Sequence, residues 1–209
     1  MFLLVKYMEN EKDEILDDIK RIKNLADGTA QVTYVNGTKY EGDFKNYKKE
    51  GKGKQYFTNG SRYEGDFKNN KREGKGKFYL NNTLVCEGDF KNNKMEGKGT
   101  FYFANGSRYE GDFKNNSITG TGTLYENDGT RSVGSFQNGK FEGNVKIFFN
   151  NGDIYDGEFH NNELHGPGVI LHADGTIERR IYNNGILQQF RQIDNSSISN
   201  MLSNFINFC

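Results

Sequence analysis

The chain contains no tryptophan and a single proline, Pro167, among 209 residues. One proline excludes a proline-rich disordered segment. Its two cysteines, Cys86 and Cys209, are too few for a disulfide framework, which points to a reducing compartment. No apolar run approaches the ~20 residues of a membrane-spanning helix. Met1 to Lys6 meets its first charge too early for a signal peptide, so a cytoplasmic location is expected. Neither charge dominates, with 28 basic and 28 acidic side chains, and a uniformly basic nucleic-acid binder is excluded. The balance hides a gradient: residues 40–118 hold 16 basic and 11 acidic side chains, residues 119–209 hold 6 and 10. At 33% hydrophobic residues, a thick three-dimensional core is also excluded.

What the chain does have is glycine, 26 residues, with 17 Phe and 12 Tyr, in a strict repeat. Tyr-Glu-Gly-Asp-Phe starts at Tyr40, Tyr63 and Tyr109, and degraded copies start at Cys86, Ser132, Tyr155 and Glu178. Each start lies 23 residues after the last, without insertion or deletion. Phe44, Phe67, Phe90, Phe113, Phe136 and Phe159 form the strongest column, ending in Tyr182. Such a period means one small unit stacked on itself, and it moves the functional question from a pocket to a surface.

Two turn signals alternate within the unit. Asn-Gly or Asp-Gly recurs at Asn36, Asn59, Asn105, Asp128, Asn151 and Asp174 and predicts tight hairpin turns. The third copy has Asn82-Thr83 there and is expected to turn less well. Polar stretches such as Lys45 to Glu50 read as the longer loops, leading into Gly-x-Gly. Each unit is therefore strand, loop, strand, turn, and the array is an antiparallel meander. Alternation places Tyr40, Gly42 and Phe44 on one face and Glu41 and Asp43 on the other, opposite Lys52 and Lys54. Glycines opposite aromatics make room for a ring from the neighbouring strand. Tyr56, Tyr79, Tyr102, Tyr125, Phe148 and Leu171 form a second column, so both faces carry aromatics.

The flanks differ from the array. Ile15, Leu16, Ile19 and Ile22 recur at helical spacing and predict an amphipathic helix over about Asn10 to Asn24. Ile198, Met201, Leu202, Phe205 and Ile206 predict a second helix, which either caps the last strands or offers an apolar stripe to a partner. The expected organisation is an N-terminal flank over 1–27, a repeat domain over 28–188 and a C-terminal tail over 189–209.

The unit Tyr-Glu-Gly-Asp-Phe-Lys-Asn-x-Lys-x-x-Gly-x-Gly followed by Asn-Gly-Ser-Arg resembles the MORN repeat (membrane occupation and recognition nexus). The match is most specific in the copies starting at Tyr40, Tyr63, Cys86 and Tyr109. It weakens where Val133, Ser135 and Arg180 replace repeat residues. The resemblance implies an all-β fold, a single-layer twisted antiparallel β-meander, to which the patterning of the termini adds short helical flanks. It also implies a non-enzymatic scaffold or adaptor in a cytoskeletal or ciliary (axonemal) assembly, with other proteins as partners.

Three other chemistries fit the sequence less well. His160, His165 and His172 lie near Glu163 and Asp174, but they read as surface and packing histidines rather than a metal site. Gly51-Lys-Gly and its copies open strands, where a phosphate loop must open a helix. The acidic residues recur in every unit, and no catalytic set stands apart from the period, so neither an enzyme nor a cofactor is expected. The remaining candidate is a basic edge: Lys45, Lys48, Lys49, Lys68, Lys71, Arg72, Lys91, Lys94 and Lys114 all follow the Phe column. Such an edge fits anionic membrane lipids or an acidic protein, with Glu50, Glu73 and Glu96 partly cancelling it. An exposed terminal strand also allows a homodimer.

Overall fold

The computed structural model describes residues 19–25 and 28–193. Sixteen strands make one antiparallel sheet, hydrogen-bonded in the order in which they occur in sequence. They are β1 (Ile19–Asn24), β2 (Thr29–Tyr34), β3 (Lys39–Lys45), β4 (Lys48–Tyr56), β5 (Ser61–Lys68), β6 (Lys71–Leu80), β7 (Thr83–Lys91), β8 (Lys94–Tyr102) and β9 (Arg108–Lys114), then β10 (Ser117–Tyr125), β11 (Arg131–Gln137), β12 (Lys140–Phe148), β13 (Ile154–His160), β14 (Glu163–Leu171), β15 (Ile177–Asn183) and β16 (Ile186–Ile193). No helix occurs among the described residues. The chain divides into two units, Met1–Thr119 and Gly120–Cys209.

The helix expected over Asn10 to Asn24 is corrected where it can be seen. Ile19–Asn24 is strand β1, paired with β2, while residues 1–18 lie outside the described residues. A register irregularity between Ile19 and Arg21 supplies one extra residue, so isoleucines three apart are both half-buried in a strand. That spacing imitates a helical one. β1 and β2 form one more hairpin ahead of Tyr40, with Gly28 (φ +85°) lying 23 residues before Gly51 (φ +58°).

The turns are also corrected, because their roles are exchanged. The segment expected as the longer loop is a two-residue turn: Lys45 pairs directly with Lys48, and Asn46 and Tyr47 both have positive φ. The same holds at Asn69-Asn70 and Asn92-Asn93. Tight hairpin turns need positive φ at both central positions, which asparagine tolerates best after glycine. At the Asn-Gly sites only the glycine has positive φ. There Tyr34 O accepts from Gly37 N and Tyr34 N donates to Thr38 O, a three-residue loop. Asn36 Oδ1 closes it by accepting from Thr38 N at 2.8 Å. The third copy turns tightly after all: Asn81 and Asn82 have positive φ, Leu80 pairs with Thr83, and a register shift at Phe78/Tyr79 absorbs the displacement.

In the first unit the core lies on the face carrying the Tyr and Phe columns. Tyr40, Tyr63, Tyr109, Phe67, Phe90 and Phe113 are all buried there. Packing runs from repeat to repeat: the Tyr40 ring meets Phe67 edge-on at 5.1 Å, and Tyr63 meets Phe90 at 5.0 Å. Each such pair contributes about 0.5–1.5 kcal/mol beyond its buried area. The Tyr40 hydroxyl donates to Asp43 O at 2.7 Å, and Tyr63 does the same to Asp66 O at 3.2 Å. Cys86, in the tyrosine column, is fully buried, and burial pushes its thiol up to about 12. The space a tyrosine ring fills in other repeats is taken by Met95, whose Cε approaches Gly99.

In the second unit Val145, Tyr155, Phe159 and Tyr182 form the buried cluster. Its last hairpin departs from the repeat. Arg180 stands in the glycine column, the register shift moves to Ile181/Tyr182, and β16 leaves Ile186, Leu187 and Phe190 exposed.

Candidate functional site

The aspartate of the repeat motif explains how the polar face is built. Register shifts between Gly42 and Phe44, Gly65 and Phe67, and Gly88 and Phe90 leave Asp43, Asp66 and Asp89 in bulges. Each carboxylate turns onto the backbone of the next strand: Asp43 Oδ2 accepts from Lys52 N at 2.8 Å, and Asp66 Oδ2 from Lys75 N at 2.9 Å. The other oxygen faces the preceding repeat. Lys52 Nζ lies 2.6 Å from Asp66, Lys75 Nζ 2.7 Å from Asp89, and Lys98 Nζ 2.7 Å from Asp112. These ion pairs therefore link one repeat to the next, whereas alternation alone had paired Asp43 with the lysines of its own repeat. The bulge, which parity counting cannot see, is the cause.

Above this face runs an open groove of about 700 Å³ across β4 to β9, floored by Gly65, Gly76, Gly88 and Gly99. A second depression continues it over Gly42 and Gly53. Tyr56, Tyr79 and Tyr102 stand in a row beside it, at the ends of β4, β6 and β8. Arg62 stacks on Tyr79 with its guanidinium 4.3 Å from the ring centre. The Tyr102 hydroxyl donates to Glu87 at 2.8 Å, while Lys77 Nζ pairs with Glu87 at 2.7 Å. Those two bonds, Lys77 first and then Tyr102, hold the Glu87 carboxyl below its ordinary range. The columns behind this face were legible in the sequence; the groove was not, because it depends on which residues of neighbouring strands come into line.

The structure divides the nine basic edge residues in two. Lys45, Lys48, Lys68, Lys71, Lys91, Lys94 and Lys114 flank the two-residue turns and are exposed or half-exposed. Lys45 faces Lys48, Lys68 faces Lys71 and Lys91 faces Lys94, directly across the hairpins. Lys49 and Arg72 do not belong with them, being 2% and 0% exposed. Lys49 Nζ sits 5.4 Å from the Tyr34 ring centre and 5.6 Å from that of Phe67. The Arg72 guanidinium sits 5.6 Å from the Tyr63 ring centre, and Nη2 donates to Asn93 O at 2.8 Å. Their column continues as Met95 and Ile118, both buried, and this was the signal for a core position. Glu50, Glu73 and Glu96 each accept a backbone N–H from the next repeat's turn, at Asn69, Asn92 and Asn115.

The histidines form two groups. His160 and His165 have ring centres 6.0 Å apart, with His160 Nδ1 2.9 Å from Glu142. His172 stands apart, with Nδ1 3.1 Å from Asp153 and Nε2 3.3 Å from Glu178. Among the described residues, no three His, Cys, Asp or Glu side chains converge as metal ligands do. The apolar stripe Ile198, Met201, Leu202, Phe205 and Ile206 lies outside the described residues.

An open meander of hairpins built on a 23-residue period defines an all-β repeat protein. The chain belongs to the MORN-repeat family: the family model matches residues 40–62, 63–83, 86–108, 109–131, 133–154 and 155–177. The repeat itself is a non-catalytic one. No curated protein matches the sequence significantly. Among solved structures it is similar to the TCP domain of SAS-4 (dCPAP) of Drosophila melanogaster, solved in complex with a proline-rich motif of Ana2 (dSTIL). That match has a TM-score of 0.51 at 15% identity and covers 82% of this chain and 95% of that one. The TCP10 domain of Danio rerio CPAP matches with a TM-score of 0.36 at 12% identity, over 86% of this chain and 98% of that one. At such identities the first likeness is one of fold.

Proposed function

We propose that this protein is a non-enzymatic scaffold or adaptor that docks other proteins on its open sheet, within a cytoskeletal or ciliary assembly. The observation that carries this reading is the groove along β4 to β9, a repeated surface of Lys, Glu and Gly left uncovered by the rest of the described chain. The SAS-4 TCP domain, of similar fold, binds a partner's peptide, which supports a peptide-docking role for this sheet. Cross-linking mass spectrometry on native material tests it. Cross-links from Lys52, Lys75 and Lys98 to cytoskeletal or axonemal proteins are expected. A chain that cross-links to no other protein through this face overturns the reading.

A second reading, attachment to anionic phospholipid, draws on the lysine pairs that face each other across the turns. Like charges directly opposite are unfavourable, and an anionic surface relieves them. Each basic side chain contributes about 1 kcal/mol near such a membrane. Co-sedimentation with phosphoinositide vesicles, lost at high salt and in Lys48→Glu/Lys71→Glu, is the expected result. Sedimentation unchanged by that double substitution rules the edge out.

A further inference from the structure

We infer that the groove over β4 to β9 takes a proline-rich segment in the polyproline II conformation, lying across the strands with one helical turn per repeat. This rests on the protein-docking reading above and names the kind of partner.

The first argument is the period. Two strand spacings advance about 9.4–9.8 Å per repeat. One polyproline II turn, three residues, advances about 9.3 Å, so over three repeats a ligand loses at most about 1.5 Å of register. Two α-helical turns advance about 10.8 Å, and the same span puts a helix about 3–4 Å out of step. An extended strand presents same-face residues every ~6.6 Å, which matches no single repeat. Only the polyproline II ligand offers an equivalent residue to Tyr56, Tyr79 and Tyr102 in turn.

The surface chemistry agrees. Proline-rich ligands pack their rings on aromatic-lined grooves, and here Tyr56, Tyr79 and Tyr102, one from each repeat, stand on the groove's face two residues beyond Lys54, Lys77 and Thr100. Tyr56 is 36% exposed. The groove's charges are already satisfied by each other, through Lys52–Asp66, Lys75–Asp89 and Lys98–Asp112. A charged ligand has to displace those pairs; a neutral one does not. Polyproline II has no internal hydrogen bonds, so its carbonyls need donors. The three lysine side chains are 76%, 70% and 67% exposed, and an ammonium paired to one carboxylate keeps N–H groups to donate.

The test is fluorescence anisotropy of the full chain with a labelled peptide of four Ala-Pro-Pro repeats. Controls are an Ala-Gly-Gly peptide of equal length and a helical alanine-rich one. Saturable binding of the proline peptide alone is expected below about 1 mM, weakened about tenfold by Tyr56→Ser/Tyr79→Ser and unchanged by Lys45→Ser. Amide shifts at Gly65, Gly76, Gly88 and Gly99 are expected on titration. Thermal melts monitored by circular dichroism confirm that the variants remain folded. No saturation by the proline peptide, equal binding of either control, or shifts confined to other strands overturns the inference. If the peptide fails while native partners still cross-link through Lys52, Lys75 and Lys98, the scaffold reading stands and only the ligand class falls. If those cross-links are missing too, both fall.

Discussion

The hydroxyl end of Tyr40 occupies the space in which a side chain on Gly53 would begin. Gly53 pairs with Gly42, and the ring of Tyr40 lies over both on its way to the carbonyl of Asp43. Tyr63 stands in the same relation to Gly76, and Tyr155 to Gly168. Gly53→Ala is therefore expected to lower stability by about 1–3 kcal/mol, the usual cost of overpacking. Denaturant melts of Gly53→Ala in the wild-type and Tyr40→Leu backgrounds check it. An equal loss in both would show that the tyrosine is not the obstacle.

Arg72 sits where Met95 sits one repeat later, and both are buried. Replacing a buried cation by a well-packed apolar side chain is often neutral or stabilising, whereas truncating it is costly. Arg72→Met is expected to keep or raise the melting temperature, and Arg72→Ala to lower stability by about 2–4 kcal/mol. If vesicle binding falls in Arg72→Met as much as in Lys71→Glu, the separation of Arg72 from the exposed edge is wrong.

Asn93 combines positive φ with a side-chain oxygen that accepts from Arg72 N at 2.8 Å. Asn93→Gly retains the conformation and deletes the bond, so a loss of about 0.5–1.5 kcal/mol is expected. Asn93→Val also forces a β-branched side chain to positive φ and should cost more. Equal melting temperatures for the two variants would refute that ordering.

His172 makes part of the stability pH-dependent. Burial opposes its charge, but the Asp153 and Glu178 carboxylates on either side of the ring outweigh that and raise its pKa above 6.5. A raised folded pKa gives stabilisation that is fully present below about pH 6.5 and fades as pH rises through the folded value. Asp153 behaves oppositely: the Ala173 N–H first, and His172 as well, lower its pKa. Its contribution is present above pH 3.8 and fades as pH falls through the lower folded value. The gap in melting temperature between wild type and His172→Gln should narrow from pH 6 to pH 8.5. A gap that stays constant would mean that the ring acts through packing alone.

Much of this surface was legible in advance. The 23-residue columns marked the strands, the buried Tyr and Phe face, and the row of tyrosines on the polar face. Lys49 and Arg72 were misread as edge residues because a basic side chain among lysines looks solvated; reading their column on to Met95 and Ile118 would have placed them inside. Ile19 and Ile22 looked helical because a register irregularity gives a strand the spacing of a helix. The Asn-Gly dipeptides drew attention from the Asn-Asn pairs, although positive φ at both turn positions belongs to the latter.

By itself the sequence determined the repeat, the strand order and the residue type in each column, since these follow from local pattern and a constant period. Only the tertiary structure decided which residues meet. The bulges swing Asp66 and Asp89 toward the preceding repeat, and the groove lies where Lys, Glu and Gly residues of neighbouring strands come into line. Both depend on the register between strands, and register is a property of paired backbones.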